Sequence, residues 1–530
     1  SHQEAKGLQV SGATLPGTPF VLVGHNARVA WGMTLAFTDC EDLFVERFEP
    51  GSTRYQFRDG WREAEVLSEP IAVKGRGEPH VEQVVVTHHG PVISDVVGVP
   101  EQRLTVQSMA LRPSHALGGW WQLNRASGWD AFVAALRCVN ATQLSVTYAD
   151  IEGNIGYWVT GAVPVRASGR GMVPAEGWTG EAEWVGEVPF EEMPHALNPV
   201  EGLVVNANNR IVDDDYPHFL GNAWMNGFRA RRLIEVLRSR APFSAADARE
   251  LQMDLVTVAC GDLMSHLQDI EPSEPELRDL LDRLRNWDGH LTADSTAGAI
   301  YEVFRVALVR NLLEPALGPE LSLQWMGQGF HPLLLSVSEL HGYDFVAVLR
   351  LLDDSDSWWV QQAGGRQNWI EKSLAETAAW LRQELGTDPD RWQWGRLHRT
   401  SFPHALGASP VLDLALGRGN FAVGGDSDTP CQFAFKPERP YDNYGAAATF
   451  RQIVDLGDLS QSLVLVPPGQ SGHPGSPHYD DMIDPWLKGE YIPMLWTRTQ
   501  VEREAQAILV LEPVADHDGD SEGGGESEPR

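Results

Sequence analysis

The run Leu144-Ser-Val-Thr-Tyr-Ala-Asp150, then Ile151-Glu-Gly-Asn154, then Ile155-Gly-Tyr-Trp-Val-Thr-Gly161 decides how the first third of the chain is read. Two segments rich in β-branched and aromatic residues flank the turn signal Glu152-Gly153-Asn154, which predicts a hairpin and antiparallel pairing. Asp150-Ile-Glu-Gly-Asn154 has a faint likeness to a calcium loop, but its spacing is wrong for one. Towards the N-terminus, residues 20–24, 81–92 and 104–111 carry the same β-forming composition, punctuated by Gly and Pro. From Ala230 the period changes. Apolar residues fall at helical spacing over 231–240, 244–268, 274–287 and 297–313, and a further helix is expected over 370–385. Ser127-Gly-Trp-Asp130, Ser244-Ala-Ala-Asp247 and Ser273-Glu-Pro-Glu276 have the spacing of helix starts. Strands return after Ser401, notably over 444–456 and 461–466. Strands, then helices, then strands is the order of an α+β fold rather than a doubly wound one. No repeat of fixed period is present.

The 530 residues exceed one minimal core. Nineteen tryptophans suit an extended β core or an apolar ligand pocket, and core packing accounts for most of them. Acidic residues outnumber basic ones 73 to 41, a net charge of −32, which repels phosphate backbones and anionic lipid and argues against nucleic-acid binding. No uncharged apolar window of ~18 residues predicts a membrane span. Cys40, Cys138, Cys260 and Cys431 are too few and scattered for a disulfide framework or a zinc ribbon, so free buried thiols are expected. The chain starts at Ser1 rather than Met, as a processed product or a fragment would. Residues 515–530, rich in Asp, Glu, Gly and Ser, are expected to form a disordered acidic tail after a domain over 1–514.

No nucleophile elbow, zincin helix, P-loop or dinucleotide fingerprint is present; Gly469-Gln-Ser-Gly472 lacks the glycine an elbow needs. Three segments carry chemical interest. Gly24-His25-Asn26 is followed by the acidic run Asp39-Cys-Glu-Asp42, which offers hard oxygens to Ca²⁺ or forms a solvated acidic loop. Asn206-Ala-Asn208-Asn209-Arg210 ends a Val-rich stretch; asparagine concentrates in turns because it tolerates left-handed backbone. Phe228-Arg229-Ala-Arg-Arg232 opens a helix with cations that oppose the macrodipole, so at least one of them has another task.

Taken together, these segments resemble the β chain of the penicillin acylase family over almost the whole sequence. The likeness rests on Gly12-Ala-Thr-Leu-Pro-Gly17, Val23-Gly-His-Asn26, Ala30-Trp-Gly32, His89-Gly-Pro-Val92, Tyr148-Ala-Asp-Ile-Glu-Gly-Asn-Ile-Gly156 and Asn206-Ala-Asn-Asn-Arg210. It continues through Gly424-Gly-Asp-Ser-Asp428, Ile453-Val-Asp-Leu-Gly-Asp458, Gly469-Gln-Ser-Gly472 and Ser476-Pro-His-Tyr-Asp480. Each stretch is weak by itself; their order makes the likeness specific. The resemblance implies an αββα sandwich of stacked antiparallel sheets, the N-terminal-nucleophile hydrolase fold, with a helical insertion over about 230–390. It also implies amide hydrolysis of an N-acylated small molecule, a β-lactam side chain or an acyl-homoserine lactone. A terminal serine attacks, and its own amine, with a pKa near ~8, serves as base. An acyl-enzyme follows.

Matched motif to motif, the resemblance implies Ser1 as nucleophile, Asn208 and the Leu35 backbone N–H as oxyanion donors, and Arg229 as the arginine that orients the asparagine. It likewise implies a structural Ca²⁺ held by the carboxylates of Asp39 and Asp42 and the backbone oxygens of Glu41 and Pro164. Its further ligands would come from the separate α chain cut from the same precursor and from near Asp213, Asp214 and Asp215. Export to the periplasm or medium is a further expectation from the resemblance. The sequence departs from the family at its start. Ser1-His-Gln-Glu passes almost at once into Gly7-Leu-Gln-Val-Ser-Gly-Ala-Thr, whereas family β chains run through an Asn-Asp-Pro-His-Leu stretch first. Either Ser1 heads a shortened chain, or the chain is an inactive truncated piece whose nucleophile lies upstream; the second is the expectation carried forward. A noncatalytic ligand-binding β protein and a metal-dependent hydrolase remain as alternatives from other classes.

Overall fold

The computed structural model describes residues 1–331, 335–338, 342, 344–407, 409–437 and 440–511, so the expected acidic tail over 515–530 lies outside the described residues. The hairpin forms where the sequence places it, Leu144–Asp150 against Ile155–Val159 in antiparallel register. Its turn is closed by Asp150. Oδ1 accepts the N–H groups of Glu152 and Asn154 at 2.9 and 3.0 Å, and Oδ2 accepts Asn154 Nδ2 at 2.9 Å and the Tyr148 hydroxyl at 2.6 Å. Both oxygens of the Asp150 carboxylate are thus spent on the turn.

That hairpin sits inside a seven-stranded antiparallel sheet. Its order is His2–Ala5, Leu8–Ala13, Val23–Asn26, Val29–Leu35, Leu144–Asp150, Ile155–Val159 and His195–Leu197. Gly12 and Gly24 face one another across the second and third strands, where a Cβ on Gly24 would lie 2.1 Å from the Ser11 carbonyl oxygen. Only glycine permits that approach. Asn26 closes the next turn. Its Oδ1 accepts the N–H groups of Arg28 and Val29, both at 2.8 Å, and its Nδ2 donates to the Ala126 carbonyl at 2.8 Å.

Side-chain alternation gives the sheet two unlike faces. Leu8, Val10, Val29, Trp31, Val146 and Tyr148 are buried against Trp120, Leu123, Phe132 and Leu136 of the helices Ala116–Leu123 and Trp129–Leu136. Burying each such side chain contributes ~1.5–3 kcal/mol. The second of these helices starts without the Ser127 cap expected from sequence; Gly128 is the cap residue and no side chain closes it. Strand edges meet the C-terminal segment on the other side. Gln452 Nε2 donates to the Trp31 carbonyl at 3.1 Å, Gln9 Nε2 to the Trp496 carbonyl at 3.2 Å, and the His25 and Trp496 rings lie 4.7 Å apart. The small sheet Arg451–Ile453, Leu463–Leu465, Ile492–Pro493 forms this next layer.

A helical layer completes the stack. Gln252 Nε2 reaches the Gln452 carbonyl at 3.0 Å, and Met253 and Leu255 pack on Val423, Phe433, Leu465 and Trp486. The expected helix over 244–268 is two, Ala245–Gln252 and Val258–His266, the first opened by a complete Ser244/Asp247 capping box. Helix Pro275–Arg285 uses Glu274 as cap residue, and Ser273 Oγ bonds Glu371 instead. Thr296–Trp325 runs far beyond the expected 297–313, but bends at Gly318 (φ 77°) between Pro315 and Pro319. It packs on Arg366–Leu385, with Trp369 Nε1 donating to the Leu308 carbonyl at 2.9 Å. Among the described residues Trp31, Trp369, Trp392, Trp394 and Trp486 are fully buried, so tryptophan does serve the core, and all four cysteines are free thiols, with Cys260 and Cys431 buried. No helix among the described residues is long and apolar enough to cross a membrane.

Candidate active site

Strand Val29–Leu35 outruns its neighbour on one side: pairing with Val23–Asn26 begins at Trp31–Gly24, four residues before Leu35. On the other side Leu35 stands opposite Leu144, which turns its own groups away. Its N–H meets Thr160 Oγ1 at 3.3 Å and its carbonyl accepts the Thr160 N–H at 2.7 Å. Leu35 and Leu144 are therefore a non-hydrogen-bonded pair, and the Leu35 N–H and C=O point to the open side.

Asn208 occupies that side. It sits in a left-handed conformation (φ 62°), its N–H accepted by Asn206 Oδ1 at 3.0 Å while Asn209 Oδ1 accepts the Ala207 N–H at 3.1 Å. Asparagine bears this conformation because its short amide bonds local backbone. Its Nδ2 donates to Thr34 Oγ1 and, at 3.1 Å, to the Leu35 carbonyl. Arg229, in the first turn of helix Phe228–Ser239, donates from Nη2 to Asn208 Oδ1 at 3.1 Å, which fixes which amide atom faces Leu35. Arg231 and Arg232 are engaged elsewhere, by Asp262 at 2.8 Å and Asp254 at 2.8 Å. The structure thus joins Asn208, Leu35 and Arg229. An amide donor clamped by a guanidinium beside an outward backbone N–H is equipment for a negatively charged oxygen.

Ser1 is not among them. Its amine donates to the Gly12 carbonyl at 2.8 Å and its carbonyl accepts the Gly12 N–H at 2.9 Å. Gly12 pairs with Gly24, and Gly24 with Trp31. Three strand spacings across and four residues along place Ser1 about 20 Å from Leu35. Burial lowers the Ser1 amine below its ordinary value.

Behind Arg229 lies a buried array that sequence inspection missed. Arg305 Nη2 meets Asp428 at 2.6 Å and its Nη1 meets Asp426 at 3.2 Å, with Glu302 and Asp344 buried close by. Burial pushes Arg229 down, and Asp428 and Asp426 push it back up. Burial drives Glu302 well above the carboxylate range, with Asp426 adding to the rise, and lifts Asp344 to about 7. Four acids share two guanidinium groups, so some stay protonated at neutral pH. The available signal was a Glu and an Arg three apart, Glu302 and Arg305, inside a largely apolar stretch of helix.

Asp39 and Asp42 also come together, but their cation is Arg166. Its Nη2 meets Asp39 Oδ1 at 2.9 Å, its Nε meets Asp42 Oδ2 at 2.7 Å, and Trp184 Nε1 adds a bond to Asp42 Oδ2 at 2.5 Å. Arg166 and Asp42 are only 4% and 6% exposed. Burial raises Asp39, opposed by Arg166. The Glu41 side chain accepts from Ser108 Oγ at 2.6 Å, and Pro164 opens the strand Pro164–Arg166 that delivers the guanidinium. Ca²⁺ takes six to eight oxygens. Asp42 Oδ1 is buried without a partner, so one carboxylate oxygen of the expected donor set stays open beside the Arg166 pair.

Residues 1–503 match the penicillin amidase family. Penicillin acylase 2 proenzyme of Pseudomonas sp. (strain SE83) is 32% identical across 97% of this chain and 64% of its own length. Acyl-homoserine lactone acylase QuiP of Pseudomonas aeruginosa is 29% identical across 91% of this chain and 61% of its own. The chain thus spans somewhat under two thirds of the length of these relatives. The crystal structure of the thermostable penicillin G acylase of Alcaligenes faecalis superposes with a TM-score of 0.76 over 97% of this chain and 94% of that one, at 22% identity, so the two share the N-terminal-nucleophile hydrolase fold. By the match over nearly its whole length and by its fold, the chain belongs to the penicillin amidase family.

Proposed function

We propose that this chain forms the oxyanion-stabilising part of an amidohydrolase that cleaves an N-acylated small molecule, a β-lactam side chain or an acyl-homoserine lactone, through a serine acyl-enzyme. The observation that carries the reading is Asn208, its amide held by Arg229 at 3.1 Å beside the outward Leu35 backbone. The names of the relatives, a penicillin acylase and an acyl-homoserine lactone acylase, support the substrate class. When the serine adds to the carbonyl carbon, charge moves onto the carbonyl oxygen. Asn208 Nδ2, exchanging its Leu35 carbonyl partner for that oxygen, and the Leu35 N–H receive it, while Arg229 holds the amide oxygen. Collapse expels the amine, and water then releases the acid.

Ser1 stands across the sheet from this position, so the reading has a second chain of the same precursor complete the site; the relative's designation as a proenzyme supports such processing. The test is labelling with a serine-directed sulfonyl fluoride, read by intact mass and peptide mapping, together with turnover of a penicillin and an acyl-homoserine lactone. Turnover should fall ~100- to 1,000-fold in Asn208→Ala, the usual cost of losing one oxyanion donor. An adduct on Ser1 that accompanies turnover would replace the two-chain reading with a single-chain site. Folded protein that hydrolyses neither substrate, alone or with its partner chain, counts against the whole proposal.

A further inference from the structure

The face of the seven-stranded sheet turned away from Val146, Tyr148 and Trp158 carries Ser145 and Tyr157. Ser145 stands opposite Thr34, whose hydroxyl accepts from Asn208. The Ser145 hydroxyl is itself fully buried and has no hydrogen-bond partner among the described residues. It borders a cavity of about 380 Å³, a size usual for small-molecule pockets, with Leu203, Val204, Val205, Ile211 and Ile234 as apolar walls. Asn206 and Asn209, the side chains that brace the Asn208 turn, border the same space.

Its charged groups stand at the rim. Arg238 follows Ile234 by one turn on helix Phe228–Ser239, so the apolar wall leads up to a guanidinium. Arg238 and Glu201 are both exposed, and neither forms a hydrogen bond or ion pair among the described residues. The remaining guanidinium of the lining, Arg210, is answered by Asp214 at 2.6 Å and adds no free charge. One free cation, one free anion, apolar walls and a buried hydroxyl therefore make up the recognition surface.

We infer that this cavity binds a free α-amino acid whose side chain is apolar along its length and ends in a hydroxyl, as that of tyrosine does. The side chain lies between the apolar walls and its hydroxyl meets Ser145 Oγ. The α-carboxylate meets Arg238, and the α-ammonium meets Glu201. A wholly apolar side chain would leave the buried Ser145 hydroxyl unpaired, and a ligand with a single charge would leave one rim group unmatched. Sites that hydrogen-bond a substrate hydroxyl reject the analogue lacking it for this reason. The inference goes beyond amide cleavage and asks nothing of it. Amino-acid binding and hydrolysis are measured apart, so either reading fails without the other.

The test titrates the full chain with tyrosine, phenylalanine, tyramine and p-hydroxyphenylpropionate, read by saturation-transfer NMR. Tyrosine should bind saturably and roughly two- to tenfold tighter than phenylalanine, the worth of one hydrogen bond. This comparison is made on the wild type and depends on no variant folding. Ser145→Ala should erase the preference. Arg238→Gln should weaken tyrosine and p-hydroxyphenylpropionate roughly two- to fivefold and leave tyramine unchanged, while Glu201→Gln should weaken tyrosine and tyramine and spare p-hydroxyphenylpropionate. No saturable binding of tyrosine, equal affinity for phenylalanine, or a preference that survives Ser145→Ala overturns the assignment.

Discussion

Replacing Arg166 by Met leaves two largely buried carboxylates facing one another without a cation. Arg166 is 4% exposed, Asp42 6% and Asp39 20%, so the pair belongs with buried ion pairs rather than screened surface ones. Removing one partner of such a pair costs ~3–5 kcal/mol, because the remaining charge is uncompensated. The lower end applies here, since Asp39 keeps some contact with water. With an unfolding entropy of roughly 2.1 cal/mol/K per residue, about 3 kcal/mol in a chain of this size lowers Tm by about 3 °C. The deficit should depend on pH. Carboxylates with raised folded pKa values destabilise most at neutral pH, and the gap to wild type should narrow as pH falls towards ~4. Calcium supplies the second arm. Millimolar Ca²⁺ should leave the wild-type Tm unchanged, because Arg166 already engages both carboxylates, and should restore part of the loss in Arg166→Met. Calorimetric scans with and without Ca²⁺ read both effects. A wild type stabilised by several degrees in Ca²⁺, with Arg166→Met near neutral, would refute the reasoning and return the ion to this site.

Asp344, lifted to about 7 by burial, is protonated in the folded chain and ionised in the unfolded one between about pH 4 and 7. The wild type should therefore lose a few kcal/mol relative to Asp344→Asn as pH rises through that window, levelling off above it; parallel denaturation curves at each pH would contradict this. Ser244→Ala removes a complete capping box and should cost about 1 kcal/mol, while Ser273→Ala, which caps nothing, should cost less by the same urea titration.

Local patterns were legible where neighbours in sequence are neighbours in space. The 144–159 hairpin, the Ser244 cap and the helical period after Ala230 follow from backbone propensity and alternation, and the structure repeats them. Boundaries failed where tertiary contacts chose between options. Ser273 spends its hydroxyl on Glu371, and Gly318 bends the 296–325 helix where two prolines forbid a straight one. The grouping of Asn208, Leu35 and Arg229 came from family resemblance, since nothing in spacing relates residues 35, 208 and 229. Arg166 was invisible for the same reason: it lies 127 positions from Asp39. His89-Gly-Pro-Val92 was noticed as a motif, but its partners Glu46 and Glu183 lie 43 and 94 positions away, beyond any local rule.

The two largest apolar clusters, one of helices spanning Phe228 to Tyr441 and one of strands and helices spanning Leu8 to Trp158, share no residue. Asn208 is anchored to the strand side through Thr34 and Leu35, and Arg229 to the helical side through the helix it opens. Their bond therefore ties the two clusters together, alongside the Gln452 contacts to Trp31 and Gln252. Amide exchange around residues 206–209 then reports on the contact between the two clusters. A ligand that grips Asn208 stabilises the arrangement that holds it there by mass action, so binding at this position should also slow exchange around it.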